Sequence, residues 1–406
     1  MVVRRPSIVL VAAHILGVSA AIVYLALNPI PHAQMTSRPK RIAWFIRRGS
    51  LPACVTTALI FLFSDQSVLA DMSHPVRFVS VLVWLLLVIL LSAFGVVRHA
   101  EVVAHRLGEP FGTLILTLAV TSIEVMIIIA AMSGEKLGAT LARDSMFAVV
   151  MTVLNGMVGL WLLVGGLMHR EQAFNLQGAQ AFLSVIAPLA IITLVLPNFT
   201  QSSVGPTFST PQAIFFVIVS LALYGVFLGI QNSLHQSFFW SPNPEEIDRS
   251  KPSPARGTVW VHGVLLVAYV IPVVSISKGL SVPINFMIAS WGAPPALAGL
   301  ILALVVLSPE SWAALRAAVA NDLQRAVNIL LGSALATIAL TTPSILVYGL
   351  IHGDRITLGL GPTGITLLAM TLILSIMTFS SVRTNALLGA VHLVLFFSFL
   401  MLMFYA

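Results

Sequence analysis

The stretch LILTLAVTSIEVMIIIAAM, residues 114–132, holds one ionisable side chain, Glu124, near its middle. About twenty apolar residues suffice for one helical bilayer crossing. An ionisable group at the centre of such a helix costs roughly 2.5–3.5 kcal/mol on insertion scales, so it marks a functional candidate. A second stretch, ILALVVLSPESWAALRAAVA (301–320), carries Glu310 directly after Pro309. Each acid also has a plain structural reading. Glu124 could be a neutral, hydrogen-bonded buried acid, although a glutamine would serve there without titrating. Glu310 could be a helix-start carboxylate on the N-terminal dipole after a proline break. The other acids fall mostly in predicted loops or at the ends of apolar runs, and Glu109, which starts its run, reads as interfacial.

The rest of the chain agrees with a membrane setting. Of 406 residues 58% are hydrophobic and only 9% are charged, against about 25% charged in soluble domains. Mean hydropathy is +1.00. This excludes disorder, collagen and a secreted disulfide scaffold. The net charge of +7 comes from 21 Lys and Arg scattered between apolar runs, so it reads as membrane-flank charge and not as a nucleic-acid surface. The single cysteine, Cys54, can form neither an internal disulfide nor a multi-cysteine metal site.

Apolar runs lie near 7–27, 50–65, 76–97, 110–132, 145–168, 180–197, 211–231, 258–276, 293–315, 326–351, 362–380 and 385–405. They predict an all-α polytopic membrane protein with about 11–12 transmembrane helices. The one long polar stretch, SPNPEEIDRSKPSPARG (241–257), separates two halves of five runs each. The expected organisation is an N-terminal hydrophobic and basic segment over 1–49, an accessory helix and loop over 50–75, a first repeat over 76–232, a linker over 233–257 and a second repeat over 258–406. Placing the loop after 50–65 outside puts Arg98, Arg106, Arg170, Arg249, Lys251, Arg256, Arg316, Arg325 and Arg383 inside. The outside loops then hold only Arg77, Lys136, Arg143, Lys278 and Arg355. The positive-inside rule therefore makes the linker cytoplasmic and the C-terminus external.

The run at 7–27 does not fit, because Arg4-Arg5 would face outward. It reads as an extra helix, a cleaved signal-like segment or an over-extended start.

The two acids occupy corresponding places. Each lies in the second run of its half and has hydroxyls just upstream, Thr121 and Ser122 in one case and Ser308 in the other. An odd number of spans inverts the second half relative to the first, the plan of inverted-repeat transporters with a midplane site. Pro309 is expected to break its helix and free carbonyls beside Glu310. Two carboxylates with hydroxyls, amides and freed carbonyls make an oxygen cage for a hard cation. They neutralise one Ca2+ or hold two protons, whereas two empty charges in low dielectric are unfavourable. Coupled cation–proton exchange follows, with no resident cofactor.

These residues resemble the calcium/proton exchanger (CAX) family of the cation/calcium exchanger superfamily, most nearly its bacterial ChaA-type branch. Residues 96–127 (VVRHAEVVAHRLGEPFGTLILTLAVTSIEVMI) resemble its first repeat and 307–343 its second, while 223–239 and 380–397 resemble the end of the first half and the start of the last helix. The resemblance spans about 76–406. It implies cation-binding roles for Glu124 and Glu310, helix packing at Gly332-Ser333, and matches at Gln231, His235, Arg383, Asn385 and Gly389. The family's usual Gly-Asn pair upstream of each glutamate is replaced by Val120-Thr121 and Val306-Leu307, and a glutamine common after the second Gly-Ser is Ala336. Thr152 and Asn155 are candidates for the polar pair after the first glutamate. Fewer amide ligands leave the choice among Ca2+, Na+ and K+ open.

The expected function is a secondary-active antiporter in a bacterial inner membrane, exporting Ca2+ against protons, with Na+/H+ or K+/H+ exchange as the alternative. Glu124, Glu310, Thr121, Ser308, Thr152, Asn155 and Ser333 are the expected metal-ligating or gating set. The expected partners are inorganic cations, protons and the bilayer, with no nucleic acid; homo-oligomer formation is left open. A lipid-modifying enzyme would need acids or His/Asp clustered at one interface. A passive channel would dissipate a cation gradient without moving protons. Nothing resembles a phosphate-binding Walker loop, so ATP does not drive transport. His14, His262 and His392 lie in apolar runs, where packing is the simpler role and a proton relay the sharper one. Met35 is followed by TSRPKRIAWFIRR, a good cytoplasmic N-terminus. A chain starting at Met35 is therefore expected to retain cation-driven proton flux in vesicles, and loss of all flux would contradict that reading.

Overall fold

The structure, a computed structural model, describes residues 39–63, 72, 74–107, 111–132, 138–242 and 258–405. The run at 7–27 and the candidate start at Met35 lie outside the described residues, as does most of the linker.

The described chain folds into eleven helices. They are α1 (Pro39–Phe63), α2 (Pro75–Leu107), α3 (Phe111–Met132), α4 (138–169), α5 (Leu176–Leu194), α6 (210–234), α7 (Val259–Trp291), α8 (Ala296–Val319), α9 (323–352), α10 (Pro362–Thr378) and α11 (Ala386–Tyr405). Nine are long and apolar enough to cross a membrane, while α10 and the apolar part of α1, Ser50–Phe61, are shorter. In hydrocarbon the backbone must bond to itself, which is why the apolar runs become helices. Their outer faces carry Ile218, Ile271, Ile373 and Val394, each exposed, as lipid contact requires. The fold is thus all-α and polytopic.

Several sequence expectations are corrected. The accessory helix, expected at 50–65, begins at Pro39. The runs at 76–97 and 258–276 are parts of 33-residue helices, α2 and α7. Arg98, Glu101, Arg106 and Lys278, read as loop or span-end residues, therefore stand on helices. Charge ends an apolar run but not a helix, since Lys and Arg are good helix formers. Pro309 does not break its helix: α8 is continuous from Ala296 to Val319. The irregular turns lie elsewhere, as π-helical segments at Thr152–Met157 in α4, Ile230–Leu234 at the end of α6 and Thr337–Thr341 in α9. One short antiparallel ladder pairs Gln172 with Thr384 and Ala173 with Arg383, tying the α4–α5 connection to the α10–α11 connection.

Packing interleaves the two sets of five helices. The longest helices, α2 and α7, lie along each other with α1 beside them, and α8 packs on α4 while α3 crosses the π segment of α9. Between α2 and α7 the Tyr269 ring fills the space over Gly95, and its hydroxyl bonds to Ser50 Oγ on α1 at 2.6 Å. His99 and His262 meet in the same seam, Nδ1 to Nδ1 at 2.7 Å.

The α4–α11 contact is closer still. A Cβ on Gly389 would lie 2.4 Å from the Leu163 backbone nitrogen and 2.7 Å from the Gly159 carbonyl oxygen. These are backbone atoms and cannot step aside, so small residues set the helix separation. Gly389→Ala is expected to force α4 and α11 apart at a cost of about 1–3 kcal/mol, typical of overpacking. Thermal unfolding in detergent should show a clearly lower midpoint for this variant, while Leu387→Ala, at a position 70% exposed on the same helix, leaves it in place.

Candidate cation-binding site

The second helix of each set delivers one carboxylate. Glu124 sits midway along α3 and is buried. Its Oε2 accepts hydrogen bonds from Thr337 Oγ1 at 3.0 Å and Thr341 Oγ1 at 3.1 Å. Its Oε1 has no protein partner. Glu310 sits on α8, and its Oε2 accepts from Ser333 Oγ at 2.5 Å. Both glutamates line a single cavity of about 440 Å3, together with Thr121, Val120, Val306, Pro309, Ser333 and Thr337. The cavity continues past Tyr224, Phe227, Gln231, Asn328 and Trp312 to Arg98, Glu101, Arg316 and Arg325.

All three hydroxyl donors come from α9. Ser333, Thr337 and Thr341 recur every four residues, so they share one helical face. Ser333 lies in the regular part of the helix, and both threonines belong to the π segment. A π turn adds one residue to the helical repeat and re-aims the side chains around it, and such turns are frequent at functional sites. Here the widened turn sends two hydroxyls to the first-half carboxylate while Ser333 serves the second-half one.

Of the residues singled out in the sequence, the structure brings Glu124, Glu310, Thr121 and Ser333 to this cavity and leaves three outside it. Ser308 turns back to its own helix and donates to the Leu304 carbonyl oxygen. Thr152 is buried, its hydroxyl has no hydrogen-bond partner, and it does not line the cavity. Asn155 faces the opposite side of α4. Its amide nitrogen donates to Thr371 Oγ1 on α10 at 2.8 Å, and its amide oxygen lies 3.1 Å from His392 Nδ1 on α11. His392 Nε2 reaches Thr378 Oγ1 at 2.9 Å, which closes a buried polar cluster around the α4 π segment. Among the described residues, none of α4 and no histidine lines the cavity.

Sequence reasoning missed Thr337 and Thr341. The four-residue hydroxyl stripe was the available signal. Among the described residues no group of three His, Cys, Asp or Glu gathers. The site is therefore an oxygen set: two carboxylates with Ser333, Thr337 and Thr341, and Thr121 one turn before Glu124. Hard cations take such ligands, and each carboxylate can alternatively take a proton.

Residues 77–232 and 262–405 match the family model described as sodium/calcium exchanger protein. The chain belongs to that family. It is 41% identical over 321 residues to the sodium-potassium/proton antiporter ChaA of Escherichia coli K12, covering 78% of this chain and 86% of that one. It is 23% identical over 350 residues to a Ca2+/H+ antiporter of Aphanothece halophytica, covering 82% and 92%. The crystal structure of selenium-substituted YfkE, a Ca2+/H+ antiporter, shares the fold with a TM-score of 0.65 at 18% identity, over 90% of this chain and all of that one.

Thr337→Val and Thr341→Val each remove one hydroxyl from Glu124 at nearly constant volume. At about 1 kcal/mol per hydrogen bond, each is expected to change the KM of cation-driven proton flux by roughly threefold to tenfold. Thr152→Val, outside the cavity, should leave that KM unchanged.

Proposed function

We propose that this protein is a cation/proton antiporter that carries Ca2+ out of the cell against entering protons. One observation carries the reading: two carboxylates from different halves of the chain, Glu124 buried and Glu310 half-buried, line the same cavity, and hydroxyls of one helix serve both. One divalent cation or two protons leave this pair with the same net charge. The transporter therefore moves between two loaded states without exposing a bare pair of charges to low dielectric. The names of the relatives support antiport as the common activity.

The Arg98, Arg316 and Arg325 end of the cavity is cytoplasmic in this proposal, because the positive-inside rule places those arginines there. The described conformation is then open inward, and the membrane is a bacterial inner membrane. The two five-helix sets, read as inverted repeats, supply the alternate opening when α2 and α7 shift against the remaining helices.

Na+/H+ or K+/H+ exchange at the same site is the second reading. It is favoured by the 41% identity to a relative named as a sodium-potassium/proton antiporter. Everted vesicles separate the two: collapse of a pH gradient at micromolar Ca2+ supports the first, and a response only to millimolar Na+ or K+ supports the second.

The paired-acid mechanism predicts that Glu124→Gln and Glu310→Gln each abolish exchange while the protein still inserts in the membrane. Each variant keeps the shape of its side chain but holds neither a proton nor a cation's charge. Robust exchange in either variant would contradict the mechanism.

A further inference from the structure

A cation heading for Glu124 and Glu310 along the open end of the cavity first meets positive charge. Arg98 on α2, Arg316 on α8 and Arg325 on α9 all line it, with Glu101 on α2 as the acid beside them among the described residues. Arginine at a membrane edge is ordinary, but these three face the ion's path as well as the interface. The structure also orders the mouth. Arg316 lies over the Trp312 ring at 6.0 Å from its centroid. Arg98 Nη2 is 3.2 Å from His99 Nε2. Helices α8 and α9 are joined by a tight turn through Asn321, whose φ is 62°, and Asp322, whose carboxylate accepts from the Arg325 backbone nitrogen at 3.2 Å. That turn sets Arg316 and Arg325 on either side of one reversal. Arg316 follows Glu310 by six residues, about 9 Å along the helix.

We propose that Arg98, Arg316 and Arg325 form a charge filter at the mouth of the carboxylate cavity, a set of specificity-determining residues that oppose a divalent cation twice as strongly as a monovalent one. The argument is electrostatic. The energy of an ion in a fixed potential scales with its charge, so any factor by which the mouth disfavours Na+ or K+ is squared for Ca2+. Three guanidiniums against the carboxylates of Glu101 and Asp322 leave the mouth net positive, and the paired acids beyond it supply the attraction. The filter sets how far a site chemically able to hold Ca2+ does so at a given cytoplasmic concentration. This inference rests on the reading of the cavity as the cation's path.

The test separates the field of the mouth from transport. In a Cys54→Ala background, Ala313→Cys places a thiol on the cavity wall, and purified protein is treated with a cationic or an anionic methanethiosulfonate reagent. Removing two guanidiniums with Arg316→Gln and Arg325→Gln should raise the ratio of cationic to anionic reaction rates by about tenfold at low ionic strength. The difference should collapse near 1 M salt, where the screening length is about 3 Å. The Arg316→Lys, Arg325→Lys pair should keep the parental ratio. If the double glutamine variant does not fold, each single variant reads the same field with a smaller shift. An unchanged ratio overturns the filter.

In everted vesicles, without the added cysteine, the glutamine pair should lower the KM of the exchanged cation, about threefold for a monovalent ion and about ninefold for Ca2+. An unchanged KM, or equal shifts for ions of different charge, overturns the proposal as well. If no cation moves protons at all, the antiport reading fails, while the thiol reaction rates still decide whether the mouth is a charge filter.

Discussion

An ionised carboxylate inside a membrane protein needs partners to replace water, and the structure is arranged around that requirement. Glu124 receives two hydroxyl donors on one oxygen and none from protein on the other. Glu310 receives one. The pair is therefore incompletely solvated by protein, which leaves lone pairs directed at whatever enters the cavity. A fully satisfied pair would be a structural core. A pair without any partner would be too costly to hold charged. The intermediate state suits a site that must both bind and release.

The π-helical segments of α4 and α9 do opposite work. The one in α9 turns threonines toward Glu124. The one in α4 turns Asn155 away from the cavity, into a buried cluster with Thr371, His392 and Thr378. With the two-residue ladder and the close approach at Gly389, that cluster fastens α4 to α10 and α11. On this geometry α9 is the solvating helix of the site and α4 is part of its frame, so any approximate symmetry of the two halves does not extend to the chemistry.

Much of this was legible in sequence because lipid imposes a simple rule. Apolar runs had to become helices, and ionisable groups within them had to be exceptional, which singled out Glu124 and Glu310. Helix ends were less legible. Residues such as Arg98 and Lys278 interrupt hydropathy, yet α2 and α7 continue past them. The supporting ligands were hardest to read. Ser308 precedes a proline and bonds to its own helix instead of the cavity, and Thr152 and Asn155 sit on a helix whose widened turn changes which side chains face which neighbour. A regular 3.6-residue wheel cannot anticipate a π segment, so Thr337 and Thr341 were not singled out.

The common origin of the three hydroxyls has a mechanical corollary. Ser333, Thr337 and Thr341 ride on one rod, so any rotation or slide of α9 withdraws support from both acids in the same stroke. A displacement of α9 relative to α3 and α8 would therefore alter the surroundings of both glutamates together.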